Sequence, residues 1–386
     1  MSRKSKKILV FASNYLPHIG GAELALNEIV KRNSEFRFDI ITTKLNRTLP
    51  DFENKGNIRI YRVGRAAALS NFLLPKSLFP AAAFIKALLL TIKTGRYDIV
   101  FSLQASQGGG AAWLYKLFFP GTPFLLNIQE GKNLSEQGRR INFFRNLILK
   151  KADVIIAISN YLKAYAQKIN PKADLFVIPN GVDLKKFKIQ SSSPKADPPL
   201  REKLKVDEHK TIITVSRLVE KNGLVDLVEA IKYLDDSIGL IVIGQGPLEK
   251  TLKLRVKNLN LENRIEFVGE VANERLPDYL AAADIFVRPS LSEGLGIAFI
   301  EAMAMGVPVI GTPVGGILDL IKNQETGLLC EVGNPKDIAA KIQTILNDDI
   351  LKQRLIANAK QHVANNYDWD LIASRFRELF YKYGSI

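Results

Sequence analysis

Two kinds of apolar segment alternate along this chain. Short, continuous, β-branched runs read as buried strands: residues 7–12, 36–43, 58–63, 98–103, 123–128, 154–158 and 175–178. Between them apolar residues recur every three or four positions, the helical period, over residues 22–33, 75–94, 108–118 and 139–151, and again from Asn160. Residues 190–199, rich in Ser and Pro, break the pattern with the composition of a linker. The alternation then restarts, with strands predicted at 211–215, 240–243, 265–268, 285–287, 309–310 and 328–330 and a last helix over about 370–383. Strands separated by helical segments imply βαβ units and parallel sheets. The expected fold class is α/β, with two doubly wound domains facing each other across a cleft. Their bounds are 1–189 and 203–367, with residues 190–202 as the linker.

Composition adds limits to this picture. A chain of 386 residues is too long for one small core, and 47% apolar with 24% charged residues is ordinary for a globular protein. The single cysteine, Cys330, lies in an apolar run, which excludes a disulfide framework and fits a reducing compartment. The apolar run that follows the basic start ends at Ser13-Asn14, too soon for a secretory signal, so a cytoplasmic location is expected.

Charge divides the halves. Residues 1–185 hold 28 Lys and Arg against 12 Asp and Glu, whereas residues 186–386 hold 26 against 27. The whole excess of +15 therefore belongs to the first half. Such a lobe suits an anionic, extended partner, and docking on an anionic membrane at the inner face is the expectation, with solubility charge as the competing explanation. The apolar region 72–90 and Arg139, Arg140, Arg145, Lys150 and Lys151 are the residues that suggest it. Pro75, Lys76 and Pro80 interrupt that region, so it is no membrane span, and an ordinary buried helix is the other reading. Nucleic acid is not expected as a partner, because no helix-turn-helix, zinc or aromatic-platform signature accompanies the charge.

The chemistry concentrates in residues 288–301, Arg-Pro-Ser-Leu-Ser-Glu-Gly-Leu-Gly-Ile-Ala-Phe-Ile-Glu. A strand end, a small-residue turn from Ser290 to Gly296 and a helix from Ile297 bring unpaired amides and a positive dipole end together, which suits phosphate. Glu293 and Glu301 flank this turn and suit hydroxyls on whatever carries the phosphate. Arg217 and Lys221, leaving the strand at 211–215, offer a forked and a point-charge contact to a pyrophosphate. Gly20-Gly21 and Gly244-Gln-Gly246 mark two further strand-end turns, each of which also reads as a plain turn. The full dinucleotide fingerprint is missing after Gly246, which argues against an oxidoreductase. No metal is expected: His18, His209 and His362 show no ligand spacing, and Asp368-Trp-Asp370 sits where an Asp caps a helix.

The E-x7-E spacing of Glu293 and Glu301 within Ser-Glu-Gly-Leu-Gly-Ile-Ala-Phe-Ile-Glu resembles the donor motif of retaining GT-B glycosyltransferases of family 4. Gly20-Gly-Ala-Glu23, Ser216-Arg-Leu with Lys221-Asn-Gly223, Gly244-Gln-Gly-Pro247, Phe267-Val-Gly269, the strand through Ser290 and Pro179-Asn-Gly-Val-Asp183 are similar too. The resemblance implies two Rossmann-like domains, with the C-terminal helix, about 368–386, crossing back to the first. It implies transfer of a hexosyl-type sugar from a UDP- or GDP-linked donor to a glycan or lipid-linked acceptor, without a metal or other cofactor, in cell-envelope polysaccharide or glycolipid synthesis. Arg217 and Lys221 would bind the pyrophosphate, Glu301 the ribose and Glu293 the sugar. Backbone amides at Gly294, Leu295, Gly296 and Ile297 would surround them with Ser290 beside them, Gly20 and Gly21 would close on the phosphates, and the base would lie near Gly244, Gly246, Val268 and Gly269. A histidine that the family often carries after the strand at 123–128 is replaced here by Gln129, with Glu130 next to it as the alternative acid–base group. A nucleotide-sugar epimerase or hydrolase on the same fold is the rival activity, and a basic nucleic-acid-binding protein a weaker one.

Overall fold

The computed structural model describes residues 5–17, 20–46, 48–64, 76–131, 137–187 and 210–384. The chain forms two compact units, Met1–Asn180 with Trp369–Ile386, and Gly181–Asp368. The Ser/Pro-rich stretch 190–199 lies outside the described residues, as do His18, His209 and residues 72–75 of the apolar region.

The first unit is built on an eight-stranded sheet of order β3-β4-β2-β1-β5-β6-β7-β8. Its strands are β1 (Lys7–Phe11), β2 (Arg37–Thr43), β3 (Phe52–Lys55), β4 (Ile58–Val63), β5 (Ile99–Leu103), β6 (Phe124–Ile128), β7 (Val154–Ala157) and β8 (Asp174–Val177). All neighbours are parallel except β3, which runs antiparallel to β4. Strands β5, β6 and β7 are buried at every position, which is why they read as unbroken apolar runs rather than as alternation. Strand β3, with the polar sequence Phe-Glu-Asn-Lys, lies at the edge and carries no such signal; its existence is a finding of the structure. Helices α1 (Gly21–Lys31), α2 (Phe79–Thr94), α3 (Gln107–Phe118), α4 (Arg139–Lys151) and α5 (Asn160–Ile169) connect the strands.

The second unit has a six-stranded parallel sheet of order β11-β10-β9-β12-β13-β14. The strands are β9 (Lys210–Val215), β10 (Ile238–Ile243), β11 (Ile265–Gly269), β12 (Ile285–Arg288), β13 (Val309–Gly311) and β14 (Leu328–Leu329). Helices α6 (Leu224–Ile231), α7 (Glu249–Asn258), α8 (Leu276–Ala281), α9 (Ile297–Ala304), α10 (Ile317–Leu320), α11 (Pro335–Asn347) and α12 (Asp349–Asn366) follow in order. Apolar residues of α6, α7 and α11 close one core with the sheet, so each strand is held in place by side chains spaced at the helical period.

The last helix, α13 (Trp369–Tyr383), belongs to the first unit. Its Phe376 and Phe380 pack edge-on against Phe101, and Phe380 also meets Phe36 and Phe38. Asn33 donates to the carbonyl of Ala373 at 3.2 Å, and Arg32 pairs with Asp370 at 2.9 Å. The helix thus returns to the sheet formed by the start of the chain.

Candidate functional site

In the second unit the strand order reverses between β9 and β12, which pair directly. Loops leaving adjacent strands at such a point diverge and open a crevice at the carboxyl ends of the strands. β9 runs into Ser216-Arg217-Leu218 and a short 3-10 turn, Glu220–Asn222, while β12 ends at Arg288 and enters the turn 289–296. Main chain ties the two loops together: the carbonyl of Lys221 accepts from the N–H groups of Leu291 at 2.7 Å and Ser292 at 3.3 Å. The side-chain amide of Asn222 donates to the Arg217 carbonyl at 2.7 Å. A third loop joins them at Gly244, whose N–H donates to the Gly269 carbonyl at 2.7 Å. Gly244 has φ of 124°, and a side chain there would overlap the Ser216 carbonyl, so only glycine permits this approach. Gly246 packs in the same way on the main chain of Leu218. The structure therefore brings Arg217, Lys221, Gly244, Gly246, Val268 and Gly269 to one end of one sheet.

Glu293 is the most constrained charge of the site. Its Oε2 accepts from Arg288 Nη2 at 2.7 Å, its Oε1 accepts from the Gly294 N–H at 2.9 Å, and Lys221 Nζ stands 3.7 Å from Oε1. The Arg288 guanidinium lies over the Phe299 ring, 4.9 Å from its centroid, and is almost wholly buried. Burial holds the Lys221 ammonium below the ordinary lysine range; Glu293 opposes that shift, and Arg288 and Arg217 reinforce it. Gly296 starts α9 with φ of 98°, where a side chain would press on Arg288 and Phe299. No side chain among the described residues caps this helix start, which leaves its positive end suited to an anion. Within α9, Glu301 is 8% exposed, and burial pushes its carboxyl up to about 7 against the opposing pull of Lys186 and Arg288.

Two of the expected contact residues lie beneath the turn. Ser290 is fully buried, its carbonyl accepts from the Thr312 hydroxyl, and its own hydroxyl is closed off from solvent. That hydroxyl has no hydrogen-bond partner among the described residues. Leu295 is also buried, and the contact expected of it is one through its main-chain amide. The reason is common to both: a turn this tight needs side chains beneath it to fix its amides.

In the first unit the strand order reverses between β1 and β5. Gly20 and Gly21 stand at the start of α1, which follows β1, and both are exposed. The Gly20 N–H is already donated to Glu23 Oε2 at 3.1 Å. An incoming phosphate would therefore meet a carboxylate at this helix start, a weaker anion site than α9 offers. Gln129 and Glu130 follow β6. The Gln129 carbonyl oxygen accepts from Asn180 Nδ2 at 3.0 Å, its amide donates to Asn127 Oδ1 at 2.5 Å, and Asn127 donates to the Ile156 carbonyl at 3.1 Å. Glu130 Oε1 accepts from the Ala105 N–H at 2.7 Å, while Oε2 is buried without a partner. Burial raises this carboxyl above the usual range, with the backbone N–H groups pulling the other way.

Known proteins share both halves of this layout. Residues 19–186 match the family described as Glycosyltransferase Family 4, and residues 197–362 match Glycosyl transferases group 1. The chain belongs to the family 4 glycosyltransferases. A GDP-mannose-dependent alpha-(1-6)-phosphatidylinositol monomannoside mannosyltransferase of Mycobacterium tuberculosis is 30% identical over 237 residues, covering 58% of this chain and 61% of that protein. Less than two thirds of that relative's length is thus spanned. Sucrose-phosphate synthase from Thermosynechococcus elongatus superposes with a TM-score of 0.83 at 23% identity, over 98% of this chain and 99% of that one. HepE of Anabaena, in complex with UDP and glucose, gives 0.80 at 21% identity, over 98% and 100%. These likenesses establish the GT-B fold.

Within this family 4 glycosyltransferase, the structure adds three residues that motif spacing did not single out. Arg288 was visible only as the last residue of a strand, and nothing local announces that its side chain turns back to Glu293. Asn180 lies inside the quoted Pro-Asn-Gly-Val-Asp segment, yet its bond to Gln129 joins positions 51 residues apart. Lys186 becomes relevant through its pull on Glu301. His362 Nε2 lies 3.1 Å from the Asp319 carbonyl, and Asp370 accepts from Arg32 Nε at 2.9 Å.

Proposed function

We propose that this chain transfers a hexosyl-type sugar, with retention, from a UDP- or GDP-linked donor to a hydroxyl of a glycan or lipid-linked acceptor, in cell-envelope polysaccharide or glycolipid synthesis. The observation that carries this reading is the charge arrangement at the strand-order reversal of the second unit. Arg217 and Lys221 stand on one loop, and the other leads through Glu293 to the uncapped start of α9. Breaking a sugar–phosphate bond builds negative charge on the departing diphosphate. Cations and a helix start that meet this charge stabilise the transition state more than the bound donor. In this reading they do the work a metal ion would otherwise do.

The carboxylates take the hydroxyls. Glu301, ionised above about 7, accepts from ribose hydroxyls, and Glu293, held by Arg288 and the Gly294 amide, accepts from the sugar. No carboxylate among the described residues is assigned as a nucleophile, and together with the family resemblance this favours attack from the face of departure, so that the sugar keeps its anomeric configuration. In the first unit Gln129 would orient the acceptor, and Glu130 is the acid–base group. The GDP-mannose dependence named for the mycobacterial relative and the UDP in the HepE complex support the two bases equally. The acceptor would be met where the basic first unit touches an anionic membrane.

A panel of UDP- and GDP-sugars screened by thermal shift tests the donor half, since a ligand that binds only the folded state must raise its melting point. Stabilisation by one nucleotide sugar, followed by product only when an acceptor is added, is the expected result. Epimer or free sugar formed from donor alone would move the activity to the rival class, and stabilisation by none would remove the donor assignment.

A further inference from the structure

Helix α2 is apolar on both of its faces. Phe79, Ala83, Ala87 and Leu90 are buried, and the helix packs on β2 and β4. The opposite stripe, Leu78, Ala81, Ile85, Leu89 and Ile92, follows the helical period and faces solvent, with Ile92 75% exposed. A surface helix of a globular protein carries polar residues on that stripe. An ordinary buried helix therefore explains one face of α2 and leaves the other without a partner among the described residues. The apolar surface does not stop there. Helix α3 lies against α2, joined by the Phe84 and Phe118 rings at 4.9 Å, and Phe118 is 64% exposed. Helix α4 lies against α3 and exposes Ile141, Phe143 and Phe144. Solitary exposed apolar residues need no explanation; a run of them over three neighbouring helices marks an interaction surface.

The charge around this surface selects the partner. Lys93, Arg96, Arg139, Arg140 and Lys150 are all exposed, and helices α2, α3 and α4 contain no Asp or Glu at all. A second copy of the chain, meeting this face with its own, would oppose cation to cation. An anionic bilayer satisfies both features at once, taking the apolar side chains below its headgroups and the cations among them. No helix among the described residues is long and apolar enough to cross a membrane, so contact is made in the plane of the interface. Arg145 is not among the surface cations: it is buried and donates to Asn142 Oδ1 at 2.8 Å and to Gln137.

We propose that the α2–α3–α4 face of the first unit docks on anionic membranes, with Ile85, Leu89, Ile92, Phe118, Phe143 and Phe144 entering the interface. The inference deepens the membrane half of the functional reading and is independent of the donor chemistry.

Flotation of the full chain with phosphatidylcholine vesicles, with and without phosphatidylglycerol, tests it. The wild type is expected to float only with the anionic vesicles. Ile85→Asp/Leu89→Asp/Ile92→Asp should abolish flotation, and Lys93→Gln, Arg139→Gln and Arg140→Gln should each weaken vesicle binding about fivefold. All six positions are exposed, and unchanged melting points with unchanged stabilisation by UDP or GDP would show that the variants remain folded. Wild-type protein that stays unbound with anionic vesicles overturns the proposal, as does a triple aspartate variant that still floats. A wild-type dimer that the same variant turns into a monomer would assign the face to a second copy instead. Flotation without any nucleotide stabilisation would remove the donor reading and leave this one standing.

Discussion

Glu301 in the second unit and Glu130 in the first are both buried carboxyls raised above their ordinary range, yet their surroundings differ in kind. Around Glu301 and Glu293 the groups are charged: Arg288, Lys221, Lys186 and Arg217 outnumber the two carboxylates. Around Gln129 and Glu130 the bonds are mostly neutral, running from Asn180 through Gln129 to Asn127 and from Ala105 to Glu130. The first arrangement brings more cations than carboxylates together, which suits the anionic ligand proposed for it. The second holds Gln129 and Glu130 Oε1 by hydrogen bonds, leaves Glu130 Oε2 without a partner among the described residues, and fixes where polar side chains point. One region is built to hold a charge, the other to hold a geometry.

Breaking each in turn should separate these designs. The largest effect is expected for Arg288→Met, which removes the 2.7 Å partner of Glu293 from a nearly dry site. Taking one member from a buried pair costs about 3–5 kcal/mol, read as a lower urea midpoint, and Arg288→Lys should recover part of it. An unchanged midpoint would mean that Glu293 is held by Lys221 and Gly294 alone.

Arg217→Ala comes next. Its residue is exposed, so folding should survive, while transfer at saturating donor should fall by about 10²–10³. Undiminished turnover would end its role at the leaving group.

The third contrast is with pH. Glu301 titrates near 7 in the folded chain against an ordinary 4.5, so between these values the folded state keeps a proton that the unfolded chain has released. Stability contributed by this group is thus full below about 4.5, falls as pH rises through that window and levels off above about 7, by at most about 3 kcal/mol. Glu301→Gln should flatten that decline in urea titrations. Under the proposed ribose contact, in which hydroxyls donate to the ionised form, donor affinity of the wild type should weaken below pH 7, opposite in sense to the stability.

The smallest effect belongs to the neutral region. Gln129→Ala leaves Asn180 Nδ2 and Asn127 Oδ1 without partners and should cost about 1–3 kcal/mol in stability. A loss equal to that of Arg288→Met would erase the distinction drawn between the two regions.

Much of this layout is legible without coordinates, and the exceptions share a cause. The strands at β5, β6 and β7 announce themselves because burial on both faces demands unbroken apolar runs, whereas β3 is short, polar and at an edge. The Glu293 turn is legible because glycine and a strand–helix junction are local features. The burial of the Ser290 side chain beneath that turn, by contrast, is a finding of the tertiary structure.

By itself the sequence determined the alternation of strands and helices, the two α/β halves, the charge imbalance between them and the Arg217, Lys221, Glu293 and Glu301 set. These follow from periods of two and 3.6 residues and from turn chemistry, all of which act over a few positions. Tertiary structure decided that Arg288 folds back on Glu293, that Asn180 locks Gln129, that α13 packs beside α1, and that one stripe of α2 remains in solvent. Those outcomes depend on which strands become neighbours and which helix faces the sheets cover. No local period carries that information, because an apolar stripe reads the same whether a core or a membrane is to receive it.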